Sequence, residues 1–317
     1  MDRVFGRHGR KGFALLAVIW GLGVISLLIT SFMSNGRLRL QTAFNIAGAT
    51  QAHLIAEGAI DAAILSLLSE RDAGAAQTDR PPHDGAPLFC ALADAAVAIV
   101  IEDEGGKVDI NSASPKLLQA MLMGFGLEMR RADALANAII AFRSTPTNEI
   151  TTSSHAEDRS DKPFPPKRAL FQTILELDQV GGIDAPLFRE LRPFVTVHSR
   201  RQGLDARAAP PALFAALAGF AADDVRASIT TPFPNALDRN DPRFPQTFKQ
   251  SSDHGAFLVH AEALLARGQT AAREAVVDLR ASSLGPYAIR ELRRGATRYI
   301  DQLRSFRGSG PVALPEC

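Results

Sequence analysis

From Gly12 to Met33 the chain reads GFALLAVIWGLGVISLLITSFM, with no ionisable side chain. At helical rise this run covers the roughly 30 Å of a bilayer's hydrocarbon core. It is therefore expected to span a membrane rather than to join a globular core. Ahead of it, MDRVFGRHGRK carries Arg3, Arg7, Arg10 and Lys11 against Asp2. The retention of positive flanks in the cytoplasm predicts a cytoplasmic N-terminus, with the remainder of the chain on the far side. A cleaved secretory signal would have a shorter apolar region followed by a small-x-small site. Here the run is too long and ends in Thr30, Ser31, Phe32 and Met33.

Beyond Met33, apolar residues recur at helical spacing through Leu38, Phe44, Ala47, Leu54, Ile60, Ile64 and Leu68, and no proline intervenes before Pro81. One helix is predicted from Phe13 to about Ser69, its second half laying an apolar stripe on a sheet. Gly36, Gly48 and Gly58 are expected to mark bends or close approaches. After a loop at 72–87, the stretches 96–102 and 107–110, separated by Gly105 and Gly106, predict a hairpin. The stretches 257–266 and 273–281 predict a second hairpin, and 286–294 a further strand.

A helical stretch lies between the two strand groups. Strands, helices and strands again predict an α+β fold, in which a long N-terminal helix packs on a small antiparallel sheet that carries a large all-helical insertion. The expected divisions are a leader at 1–12, a transmembrane helix at 13–33, the rest of the long helix and the first strands at 34–110, the insertion at 111–241, the returning strands at 242–306 and a flexible tail at 307–317.

The 35 Lys and Arg against 34 Asp and Glu leave no whole-molecule field to gather a polyanion. No G-x-S-x-G, P-loop, H-E-x-x-H or C-x-x-C occurs, and the seven histidines share no spacing, so no enzyme is expected. Cys90 and Cys317 are the only cysteines. The second sits behind a Gly- and Pro-containing tail expected to fray, and a bridge would cost the entropy of that tail, so both are read as inert.

The junction of the basic leader with Gly12 and Phe13 resembles the class III leader of type IV pilins and pseudopilins. That resemblance implies cleavage by a prepilin peptidase between Gly12 and Phe13, leaving Phe13 as a methylated N-terminus. The fifth mature residue is then Ala17. Most pilin-like subunits have a glutamate there, understood to neutralise a neighbour's amino terminus in the apolar filament core. Its absence resembles the tip-proximal minor pseudopilin K of type II secretion systems.

The predicted insertion opens with Asp109-Ile110-Asn111-Ser112-Ala113-Ser114-Pro115-Lys116-Leu117-Leu118, in which Ser114 is placed to cap a helix that starts at Pro115. Glycine turns at Gly124 and Gly126, and again at Gly181 and Gly182, separate helical stretches in a layout that looks like helix-hairpin-helix modules; 209–230 reads as a degenerate third unit. Such turns expose backbone N–H groups able to hold phosphate. This raises a rival reading, a membrane-anchored DNA receptor of the competence type. Acidic neighbours weigh against it: Glu128 and Asp133 flank Arg130 and Arg131, and Glu176, Asp178 and Asp184 surround the second turn.

Together with A-x-A-I-I-x-F-R at 136–143, these features resemble minor pseudopilin K over nearly the whole chain. The resemblance implies a subunit at the tip of a short periplasmic pseudopilus, partnered by two other minor pseudopilins and the major one, anchored in the inner membrane and helping to start assembly for export of folded proteins. Nucleic acid is not an expected partner. In the polar stretch 144–170, Glu157, Asp158 and Asp161 are the close-set carboxylates that would offer oxygen ligands to Ca²⁺.

Overall fold

A computed structural model of the protein describes residues 11–73, 83–144, 167–230, 237–280, 285–308 and 314–317. Helix α1 (Lys11–Asp72) is continuous through Gly36, Gly48 and Gly58 and would measure about 93 Å at helical rise. Its buried stripe is Ala52, Ala56, Ala59, Ile60, Ala63, Ile64 and Leu67, while Leu38, Phe44 and Leu54 stay exposed. The hydrophobic spacing thus locates the helix and places Ile60 and Ile64 on the sheet correctly, but Leu38, Phe44, Ala47 and Leu54 do not join that face. Four alanines on that face let the axis lie close to the sheet, with Ile60, Ile64 and Leu67 filling the space beside them.

Strands β1 (Asp84–Leu92) and β2 (Ala95–Asp103) form a hairpin turning at Ala93 and Asp94. Downstream, β5 (Ala256–Leu264), β6 (Thr270–Asp278) and β7 (Ala288–Arg294) complete an antiparallel sheet in the order β1-β2-β5-β6-β7. Val97, Ile99, Val259, Ala261, Ala275 and Val277 line the face that receives α1.

The first hairpin differs from the expected one. Gly105 and Gly106 do not turn between strands: they sit buried in a short 3-10 helix after β2. A Cβ on Gly106 would come within 2.3 Å of the Ala208 carbonyl oxygen, so this glycine serves a close approach of two backbones. The segment expected as the return strand is instead β3 (Val108–Asp109), paired in parallel with β4 (Val195–Thr196) in a separate small sheet.

The helical unit contains α2 (Pro115–Gly124), α3 (Met129–Arg143), α4 (Ala185–Leu191), α5 (Pro211–Leu217) and α6 (Ala222–Thr230). It has its own core, which includes Val108 and Ile110 before the expected boundary and Phe244 after it. Phe125 stacks on Phe194, Phe142 on Phe171 and Phe214 on Phe244, each pair joining segments far apart in sequence.

A last helix, α7 (Ile300–Gly308), was not expected from the sequence. It sets Ile300 and Leu303 against Ala96, Ala98 and Leu264 on the sheet face opposite α1. The tail is also not free at its end. Cys317 forms a disulfide with Cys90, the Ala91 N–H donates to the Pro315 carbonyl at 2.7 Å, and the Cys317 N–H donates to the Ala91 carbonyl at 3.0 Å. The entropy of holding the tail is offset by a covalent bond together with two backbone hydrogen bonds on the open edge of β1.

Candidate functional site

The first half of α1 stands clear of the head. Phe13, Trp20, Leu27 and Phe32 are each more than 70 % exposed, and none of the helix's most apolar stretch is buried. Among the described residues this is one helix long and apolar enough to cross a membrane. Such a surface needs lipid or the apolar faces of other helices. Gly12 and Phe13 lie in the first turns of α1, and Ala17 lies one turn further on, exposed.

The motif at the head of the helical unit acts as a hydrogen-bonded strap. The Asp109 carboxylate accepts from the backbone N–H of Asn111 at 2.8 Å and of Ser112 at 3.2 Å, and its other oxygen accepts from the Ser199 hydroxyl and the Arg200 N–H. Asn111 exchanges two hydrogen bonds with the Phe171 backbone. Ser114 caps α2 by accepting from the Leu117 N–H, with Pro115 in the first turn. Arg143, the last residue of the second motif, donates to the Ile110 and Ala113 carbonyls at 2.7 and 2.8 Å. The two motifs are therefore halves of one structural joint, a link that nothing in their spacing reveals.

The four turn glycines have different surroundings. Gly124 ends α2, where a Cβ would meet the Ala216 carbonyl oxygen at 2.6 Å, so it permits α2 to cross α5 closely. Gly126 has φ +88°, and its N–H donates to the Met123 carbonyl. Over that turn sits Arg226, which donates to the Phe125 carbonyl at 2.6 Å and pairs with Glu190 at 3.1 Å. At the second turn Gly181 is half-buried, and Gly182, with φ +82°, approaches Leu135 of α3. The first turn is thus covered by the protein's own arginine and its glutamate, an arrangement ill-suited to receive a phosphate.

Glu157, Asp158 and Asp161 lie outside the described residues. Among the described residues no group of three or more His, Cys, Asp or Glu is placed to hold a metal ion.

On the sheet face away from α1, alternate residues of β5 and β6 bury charge instead of apolar side chains. Glu262 accepts from His260 Nε2 at 2.8 Å and from the N–H groups of Arg298 and Tyr299, which leads the chain into α7. His260 Nδ1 lies 3.2 Å from Glu274, which also accepts from Arg293 Nε at 2.9 Å. Burial alone would lower the His260 pKa, but hydrogen bonds to Glu262 and Glu274 raise it. Burial would raise that of Glu274, but bonds from His260 and Arg293 bring it down to about 2.

The signs of these shifts give a pH window. The raised His260 contributes stability that is complete below its ordinary value of 6.5 and is lost as pH climbs through the folded value. The depressed Glu274 contributes stability present above its ordinary 4.5 and lost as pH falls toward about 2. Thermal unfolding between pH 4 and 9 should therefore show a midpoint declining on the alkaline side, and His260→Gln should flatten that decline. An identical alkaline slope in the variant would exclude His260 as its source.

Two comparisons with known proteins bear on this architecture. Residues 94–200 match the family model described as type II secretion system (T2SS), protein K. The solved structure titled as the GspK-GspI-GspJ complex from the enterotoxigenic Escherichia coli type 2 secretion system contains a chain with the same fold. That match covers 82 % of this chain and 100 % of the other, at 16 % identity and a TM-score of 0.52. No curated protein matches.

The fold is that of an α+β, pilin-like subunit, a long N-terminal helix packed on a small antiparallel sheet, here with a large helical unit between the strand groups. Within that class the chain resembles minor pseudopilin K of the type II secretion system, and the matched segment runs from the β1–β2 turn through the motif strap to the loop after β4, short of α5 and α6.

Proposed function

We propose that this chain is a minor pseudopilin that sits at the tip of a type II secretion pseudopilus and helps to begin its assembly for export of folded proteins. The observation that carries this reading is the protein K match over 94–200, which falls on the joint between a pilin-like sheet and the helical unit. In this reading α1 anchors the chain in the inner membrane with its N-terminus cytoplasmic and the head periplasmic. Two further minor pseudopilins and the major one pack on its exposed apolar helix. The role is assembly rather than catalysis. Ala17 suits a terminal position, since a subunit with none beyond it has no neighbouring amino terminus to neutralise.

Cleavage by a prepilin peptidase between Gly12 and Phe13 is part of the same reading. Gly12→Asp is expected to abolish processing completely, checked by intact mass and N-terminal sequencing from cells that carry the peptidase. A wild-type chain that still starts at Met1 there would overturn the pseudopilin reading. Calcium on Glu157, Asp158 and Asp161 rests on the family resemblance alone. Titration of chelator-treated protein with Ca²⁺ should raise the unfolding midpoint, and a midpoint unmoved by millimolar Ca²⁺ would remove the site.

The DNA receptor reading has no observation in its favour. Arg226 and Glu190 occupy the turn that a phosphate would need.

A further inference from the structure

We propose that Arg37, Arg39 and Arg267 form a cationic collar that holds anionic phospholipid headgroups on the side of the membrane where the head lies. The collar presupposes that α1 spans the bilayer as proposed above. Between Lys11 and Glu57 the chain has no acidic residue, and Arg37 and Arg39 are its only Lys or Arg. At helical rise their Cα atoms stand roughly 6 and 9 Å beyond Met33, the last apolar residue of the span. The headgroup layer is about 5 to 7 Å deep on each side of the hydrocarbon core. Helical side chains also lean toward the N-terminus, here back toward the bilayer. Both arginines are exposed, so their guanidinium groups reach the level of the lipid phosphates. Two residues apart, they point to opposite sides of the helix.

The head adds the third cation. The β5–β6 turn comes down onto α1, where a Cβ on Gly48 would meet the Gln269 side chain at 2.8 Å. Gly48 thus marks a close approach, and beside it the Arg267 guanidinium sits 5.9 Å from the centre of the Phe44 ring. Phe44 follows Arg37 by seven residues, close to two turns, which sets Arg267 above Arg37 on one face of the helix. At roughly 16 Å beyond Met33, Arg267 is within about one Debye length of the headgroup charge. Among the described residues none of the three arginines pairs with a carboxylate. Topology does not account for them, since positive charge beyond the span opposes the bias that keeps the leader in the cytoplasm. An acidic partner helix would meet one side of α1, whereas these cations lie on two. A surface of anionic headgroups meets both, and each Lys or Arg near it adds attraction.

The test is photo-cross-linking of the full chain with p-benzoylphenylalanine in place of Met33, which is exposed and lies about one turn before Arg37. The protein is reconstituted in nanodiscs of equal phosphatidylglycerol and phosphatidylcholine, and lipid adducts are counted by mass spectrometry. Phosphatidylglycerol adducts should exceed the others by about fivefold or more, the factor that one cation near an anionic surface supplies. Arg37→Gln with Arg39→Gln and Arg267→Gln should bring the two within about twofold, the scale of screened long-range charge. All three side chains are exposed, so the thermal midpoint should hold. Arg130→Gln with Arg200→Gln, which removes two exposed cations from the helical unit, should leave the preference in place. Equal adducts in the wild type would overturn the collar and assign these cations to acids of a neighbouring helix. A preference that survives the triple variant, falls equally in the double variant, or is abolished by millimolar glycerol phosphate at constant ionic strength would also overturn it. No lipid adduct of either kind would instead overturn the anchor reading, and the collar with it.

Discussion

Reducing the disulfide between Cys90 and Cys317 is expected to lower the stability of the chain by about 5 kcal/mol, the chain-entropy value for a cross-link spanning some two hundred residues. The sequence separation is 227 residues, so the bond removes a large loop from the unfolded ensemble. In the folded state it also holds the tail on the outer edge of β1, where Ala91 otherwise shows an unpaired N–H and carbonyl. Cys317→Ser should therefore lose stability comparable to that lost by the reduced wild type, and reduction should then have no further effect. The measurement is thermal unfolding with and without reductant, with free thiols counted by alkylation. A midpoint unchanged after complete reduction would show that the staple contributes nothing. The bond also belongs in an oxidising compartment, which agrees with the periplasmic placement of the head proposed above.

Lys107→Met is expected to destabilise the protein by roughly 3 to 5 kcal/mol, the cost of stripping the partner from buried carboxylates. Lys107 is 3 % exposed and lies between Glu102 and Glu104, and Glu104 also accepts from the Thr196 hydroxyl. Burial pushes the Lys107 pKa down, but the two carboxylates outweigh it and hold the ammonium protonated above its ordinary range. Removing the amine would leave two negative charges facing each other where the sheet meets the helical unit. Combining Lys107→Met with Glu102→Gln and Glu104→Gln should recover most of the loss, because neutral amides are far cheaper to bury. Denaturant unfolding of the single and triple variants decides this. A single variant as stable as wild type, or a triple variant no better than the single, would mean that the cluster is not a coupled unit.

Much of the architecture is legible along the chain because its signals are local. A stretch long and apolar enough to cross a membrane announces itself by length and absence of charge, and α1 by helical spacing with no proline before Pro81. The downstream hairpin at β5 and β6 follows from two short, largely apolar runs on either side of a short polar turn. The start of α2 follows from Ser114 and Pro115.

The failures share one cause, since each depends on what a distant segment brings. Gly105 and Gly106 look like a turn until Ser252 and Ala208 arrive beside them. Leu54 looks like core until the sheet docks on the alanine face of α1 instead. The tail looks free until β1 offers an open edge and Cys90 a partner.

The candidate site divides the same way. Residues 11–33 by themselves determine a helix long and apolar enough to cross a membrane, because the hydrophobic effect acts on that segment whatever the rest of the chain does. The start of α2 and the β5–β6 hairpin are likewise settled locally by capping and turn chemistry. Only the tertiary structure joins Arg143 to Ile110 and Ala113, lays Arg226 over the Gly126 turn and sets Lys107 between its two glutamates. Those pairings join segments up to about a hundred residues apart, and their energy depends on distance and exclusion of water, quantities that exist only once the chain has closed on itself.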